Sequence, residues 1–133
     1  MRISVVATLL LALASTAQAA TSITVDGRQN CIQSALSPGA APYGTAATFQ
    51  LSPGRYVMSL SANTMSCSSG DCPINTVIVQ GGVLNAKWGV PVTTQPIVVD
   101  VGGNGASTLY GYTSDDVCSD NTGQATLLIQ QAY

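Results

Sequence analysis

The chain has 133 residues, of which four are Lys or Arg, six are Asp and none is Glu or His, giving a formal charge of −2 at neutral pH. With no cluster of Lys and Arg there is no counterion-releasing surface for nucleic acid and no basic patch for anionic lipid. Without His a Ser-His-Asp site is impossible, and without Glu half of the usual carboxylate acids are missing as well.

The first residues have the order of a secretory signal: Arg2, an apolar stretch from Ile3 to Ala14, and the small-residue site Ala17-Gln18-Ala19 before Ala20. A membrane anchor is the competing reading, but the stretch is shorter than the ~20 residues that span a bilayer, and Ser15-Thr16 end it. Residues 1–19 therefore read as a signal peptide and 20–133 as one domain, destined for the medium, the periplasm or the cell surface. No later segment is apolar enough to span a membrane, so no membrane insertion is expected after cleavage.

Along the domain, a short strand is expected at Ser22–Val25, then an irregular crossing loop over Asn30–Thr45, rich in Pro, Gly and Ala. Ala46–Leu51 and Gly54–Ala62 flank the turn Ser52-Pro53-Gly54, where Pro sets φ and Gly relaxes it. In the second of these segments Tyr56, Met58 and Leu60 alternate with Val57, Ser59 and Ser61, the period of a strand buried on one face. Asn75–Gln80 and Val83–Lys87 are separated by Gly81-Gly82, a two-residue hairpin signal.

Pro96–Val101 and Ala106–Tyr112 are joined by Gly102-Gly103-Asn104-Gly105, and Gln124–Gln131 closes the chain with Leu127 and Ile129 alternating against Thr126, Leu128 and Gln130. Short strands with frequent turn signals and no helical period predict an all-β fold: a disulfide-containing, antiparallel two-sheet sandwich or jelly roll.

Four cysteines behind an export signal are expected to form two disulfides. Cys67 and Cys72 bracket a short flexible turn that can bring them together, which leaves Cys31 with Cys118. A four-thiolate zinc site is the alternative, but there is no C-x-x-C pair and no His.

The richest polar segment runs from Tyr112 to Gly123 and holds Asp115, Asp116, Asp120 and Asn121. Carboxylates and an amide oxygen so close together have the donor chemistry of calcium, without the EF-hand spacing. The plain alternative is that these residues shape the turn through side-chain to backbone hydrogen bonds. Trp88, the single tryptophan, could stack on a sugar face or serve as a core or sheet-edge aromatic. Tyr110 and Tyr112 share a sheet face and are expected to pack.

Thr108-Leu109-Tyr110, the acidic loop, Asp120-Asn121-Thr122-Gly123 and the strand Gln124–Ile129 resemble the end of the small calcium-dependent galactose-binding bacterial lectins. In that family an Asn-Asn-Ser-Gly segment, preceded by an Asp, holds a calcium ion that binds sugar hydroxyls. The resemblance implies that Asp120 and Asn121 stand where the paired amides stand. It also implies that Asp115 or Asp116 supplies the earlier ligand, although Thr113 occupies that position at the family's spacing. The family's second sugar-contact loop contains a His, which this chain lacks, so galactose itself is not implied.

The sequence thus predicts a non-enzymatic, lectin-like carbohydrate-binding domain. Calcium is expected at Asp115, Asp116, Asp120 and Asn121, with ligand contacts at Trp88, Thr113, Asp120 and Asn121. The partner is a glycan or another extracellular surface, and a homo-oligomer is compatible with the chain. The rival is a structural or adhesive surface module that binds neither metal nor sugar.

Overall fold

The computed structural model describes residues 20–33, 44–68, 71–83 and 86–132. Residues 1–19, expected as a signal peptide, and most of the loop expected between Asn30 and Thr45 lie outside the described residues. The chain is all-β, with strands β1 (Thr21–Asp26), β2 (Cys31–Gln33), β3 (Ala47–Leu51), β4 (Gly54–Asn63), β5 (Ser66–Cys67), β6 (Cys72–Pro73), β7 (Val77–Val83), β8 (Ala86–Val92), β9 (Ile97–Val101), β10 (Ser107–Asp115) and β11 (Gln124–Ala132). One sheet has the order β1-β11-β4-β9. A second has β2-β10-β7-β8 with β3 also on β10, and β5 and β6 form a small third sheet.

Strict alternation builds the interior. Tyr56, Met58 and Leu60 of β4, Ala125, Leu127 and Ile129 of β11, and Val99 and Val101 of β9 turn inward from the first sheet. Phe49 and Leu51 of β3, Val77 and Val79 of β7, Val92 of β8 and Leu109 of β10 turn inward from the second, and all join one core. Residues between them face outward, as the two-residue period of a strand requires.

The Gly81-Gly82 hairpin is a correction. Strand β7 runs on through both glycines to Val83, with Gly81 opposite Trp88 and Gly82 opposite Lys87, so the reversal falls between Val83 and Ala86. A Cβ on Gly81 would overlap the Trp88 indole. The glycine therefore makes room for a cross-strand aromatic rather than for a turn.

Strand β10 likewise continues past Tyr112 to Asp115, because Cys31–Gln33 pairs with Thr113–Asp115 in parallel. Every other strand pairing is antiparallel.

The register divides the molecule into two ends. Asp26, Asn63, Val77, Val92, Asp115 and Gln124 lie toward one end, which carries both disulfides. Leu51, Gly54, Val83, Val101 and Ser107 lie toward the other, the open end.

Candidate functional site

At the disulfide end, Cys31 and Cys118 are bonded with Cα atoms 5.6 Å apart, and Cys67 and Cys72 with Cα atoms 5.3 Å apart, both within the usual range. These are the pairings expected from the sequence. The Thr113 amide donates to the Asn30 carbonyl at 3.0 Å, and Thr113 is buried. A single 3-10 turn over Cys118–Asp120 then carries the chain to Asn121.

The four expected calcium ligands have different surroundings. Asp115 Oδ1 accepts hydrogen bonds from the Asp116 and Val117 amides at 2.6 and 3.4 Å, which closes the turn after β10. Asp116 is exposed. Asp120 is exposed, and its Oδ2 accepts from the Ser68 hydroxyl at 3.2 Å. Asn121 is buried at 2% exposure, its Nδ2 lies 3.4 Å from Cys31 Sγ, and its Oδ1 has no hydrogen-bond partner.

Among the described residues, no group of three or more His, Cys, Asp or Glu side chains is arranged to hold a metal ion. The donor set has the element types that calcium takes, with Asp115 Oδ1 engaged by backbone amides and Asn121 buried.

The Asp-Asn-Thr-Gly segment also meets a backbone need. Gly123 has φ of 74° and passes so close to the Thr64 backbone that a Cβ would collide with it. Ser66 and Thr122 exchange amide to carbonyl bonds at 3.1 and 2.8 Å, and the Gly27 amide donates to the Gly123 carbonyl at 2.9 Å. The segment joins β1, β4, β5 and β11 at one end of the fold.

Trp88 is not brought to this loop. It lies on β8 opposite Gly81, about level with Leu109, roughly four strand residues or ~13 Å along the sheet from Thr113. There it is half-buried against the core and borders a cleft of about 250 Å³ at the open end. Gly82, Asp100, Val101, Gly102, Ser107 and Leu109 complete the lining.

Arg55 grips Asp100 from the neighbouring strand with two parallel hydrogen bonds, Nε to Oδ1 at 2.8 Å and Nη2 to Oδ2 at 3.0 Å. These bonds hold the Asp100 carboxyl below its ordinary range and push Arg55 above its own. The carboxylate is thus ionised and turned to Arg55 on the outward face of the first sheet, at the strand end that borders the cleft. A second hollow of about 220 Å³ at the same end lies beside Gln50, Tyr56 and Gln131.

Sequence reasoning missed Asp100 and Ser107. The glycine loop between Val101 and Ser107 was the available signal, since it leaves two strand ends with little side-chain cover. The pairing of Arg55 with Asp100 depends on a register between residues 45 apart, which local pattern does not carry.

Comparison of the chain with protein-family models, with curated proteins and with solved structures finds no match.

Proposed function

We propose that this is an exported, non-catalytic carbohydrate-binding domain on a jelly-roll sandwich, with its binding site in the open-end cleft. The strand order supports the architecture: β1-β11-β4-β9 facing β3-β10-β7-β8 is what two interlocked Greek keys produce. Export is supported by the leader's composition and by two disulfides, which persist in oxidising compartments. No helix among the described residues is long and apolar enough to cross a membrane.

One observation carries the function: the half-buried Trp88 indole borders one small cleft whose lining includes Ser107, on the inward side of β10. Its volume lies just below the ~300 Å³ at which drug-sized pockets begin, which suits a single sugar ring. The indole offers an apolar face for ring C–H groups. Ser107 supplies a hydroxyl, which both donates and accepts hydrogen bonds.

Screening a glycan array and following each hit by calorimetry tests the site. Ser107→Ala weakens binding by about fivefold, the loss of one hydrogen bond of about 1 kcal/mol. Trp88→Ala, with its fold checked by circular dichroism, weakens binding more than tenfold. Glycan binding unchanged in both variants, or no hit on the array, returns the chain to the structural or adhesive class.

Calcium in the 112–123 loop is a second reading, favoured by the buried Asn121 Oδ1 that lacks a donor. An ion bound only by the folded state, at a hundredfold excess over Kd, adds about 2.7 kcal/mol to stability. The melting temperature then rises with calcium, and Asp120→Ala with Asn121→Ala abolishes the rise. A melting curve unmoved by millimolar calcium removes the ion from the account.

A further inference from the structure

The outward face of the second sheet has a composition that neither the cleft nor the disulfide end uses. On β10 the inward residues are Leu109, Gly111 and Thr113, all buried, so Tyr110 and Tyr112 point away from the core. They share a sheet face, as their alternate positions require. Tyr110 is 41% exposed, and the register sets it between Thr48 of β3 and Gln80 of β7.

Tyr112 is half-buried beside Ile78, and its hydroxyl donates to Gln80 Oε1 at 3.3 Å. That bond steadies the ring and leaves the Gln80 amide group as a donor. Beyond Gln80 the row reaches Gly89 of the edge strand β8, where a Cβ would meet nothing nearer than 3.9 Å. Packing does not require glycine there, and its lack of a side chain leaves the row open toward the sheet edge.

At the outward positions of β3, β7, β8 and β10 the one charged residue is Lys87. The first sheet differs: its outward face has aliphatic Val57, Leu128 and Val98 and no aromatic ring, with Val98 61% exposed.

We propose that this face is a second carbohydrate surface, one that takes a neutral polysaccharide chain across Tyr110 and Tyr112. The exposed Tyr110 ring, with half-buried Tyr112 beside it, offers flat apolar area with a polar edge, the complement of a sugar ring's C–H face and its hydroxyl rim. Thr48 and Gln80 flank Tyr110 in its row and supply donors and acceptors at the level of the ring. The same flanks interrupt the contiguous apolar area that a protein interface core needs.

The scarcity of charge matches an uncharged polymer. A sheet surface, unlike the small cleft, can touch several repeat units at once. The proposal shares its ligand class with the cleft reading but none of its residues.

Sedimentation of the purified domain with microcrystalline cellulose, chitin powder and starch granules tests it, alongside calorimetry with soluble glycans. The wild-type domain is retained on at least one of the three solids. Tyr110→Ala lowers its partition coefficient at least tenfold, Tyr110→Phe keeps it within threefold because the ring remains, and Val98→Ala on the opposite sheet leaves it unchanged. Tyr110→Ala is an exposed substitution and leaves the melting temperature near that of the wild type.

Failure to sediment with any of the solids, or equal retention of Tyr110→Ala, overturns the proposal. So does concentration-dependent self-association abolished by Tyr110→Ala in a domain that no solid retains, which assigns the face to a second copy of the chain. If Trp88→Ala loses the solid and Tyr110→Ala does not, the cleft reading stands and this one falls. If Tyr110→Ala loses the solid while no soluble glycan binds, the face stands and the cleft reading falls.

Discussion

The disulfide end and the open end of the molecule use polar residues in opposite ways. At the disulfide end, where the sequence is richest in Asp, Asn, Ser and Thr, the side chains are committed to the chain itself. Asp115 closes a turn, Asn121 lies against a disulfide, and Gly123 threads past Thr64. At the open end the sequence is plainer, yet a half-buried indole and a hydroxyl-bearing serine border a cleft. Density of functional-looking residues in a sequence therefore measures how much the backbone has to be held as well as how much it binds.

The disulfides give the sharpest test of that contrast. By chain entropy, removing the Cys31–Cys118 bridge, which spans 87 residues, costs about 4.6 kcal/mol, and removing Cys67–Cys72, which spans 5, costs about 2 kcal/mol. Thermal melts of Cys31→Ser with Cys118→Ser, and of Cys67→Ser with Cys72→Ser, should fall in that order. A larger loss from the short bridge would mean that β5 and β6, rather than the joint between β2 and the turn after β10, secure this end.

Gly123→Ala follows in size. Its positive φ and the Thr64 backbone both resist a side chain, and a loss of about 2 kcal/mol or more is expected in denaturant unfolding. Gly102→Ala at the open end is its counterpart. No atom lies within 4 Å of the added Cβ, so stability changes by less than about 0.5 kcal/mol. Equal costs at the two glycines would erase the distinction between a backbone that is pinned and one that is free.

The smallest effect is that of the Arg55–Asp100 pair. Its side chains are 61% and 64% exposed, so solvent screens it. Asp100 has a lowered folded-state pKa, so any stability it contributes is present above the ordinary aspartate pKa and is lost as the pH falls through the lower folded value. From pH 5 to 8 the carboxylate stays ionised, and glycan affinity at the cleft should be flat over that window. Asp100→Asn should barely move the melting temperature and should leave binding at the cleft near that of the wild type. A binding titration centred near neutral pH, in a chain without His, would contradict that flat profile.

Much of the fold was legible because burial on one face writes itself into a two-residue period. Strands β4 and β11, with Met58, Leu60, Leu127 and Ile129 at alternate places, were read from that alone. The cysteine pairing followed from a short turn and elimination.

Gly81-Gly82 misled because glycine serves a turn and a cross-strand indole equally well, and only the partner strand distinguishes them. Which face Tyr110 and Tyr112 share was not legible from their size. Their face holds the large residues while Gly111 and Thr113 are the buried ones, because the opposing sheet already fills that part of the core. The cleft was illegible because Trp88 and Ser107 meet only through the register of the strands that carry them.

Gly81 has a further consequence. By yielding its place to the indole, it seats the chain's single tryptophan half in the core and half at the mouth of the cleft. All indole fluorescence from this protein therefore originates at one spot. A guest that expels water from the cleft shifts that emission toward the blue, and separation of the sheets shifts it toward the red, so an unlabelled sample reports occupancy and unfolding in two colours of one signal.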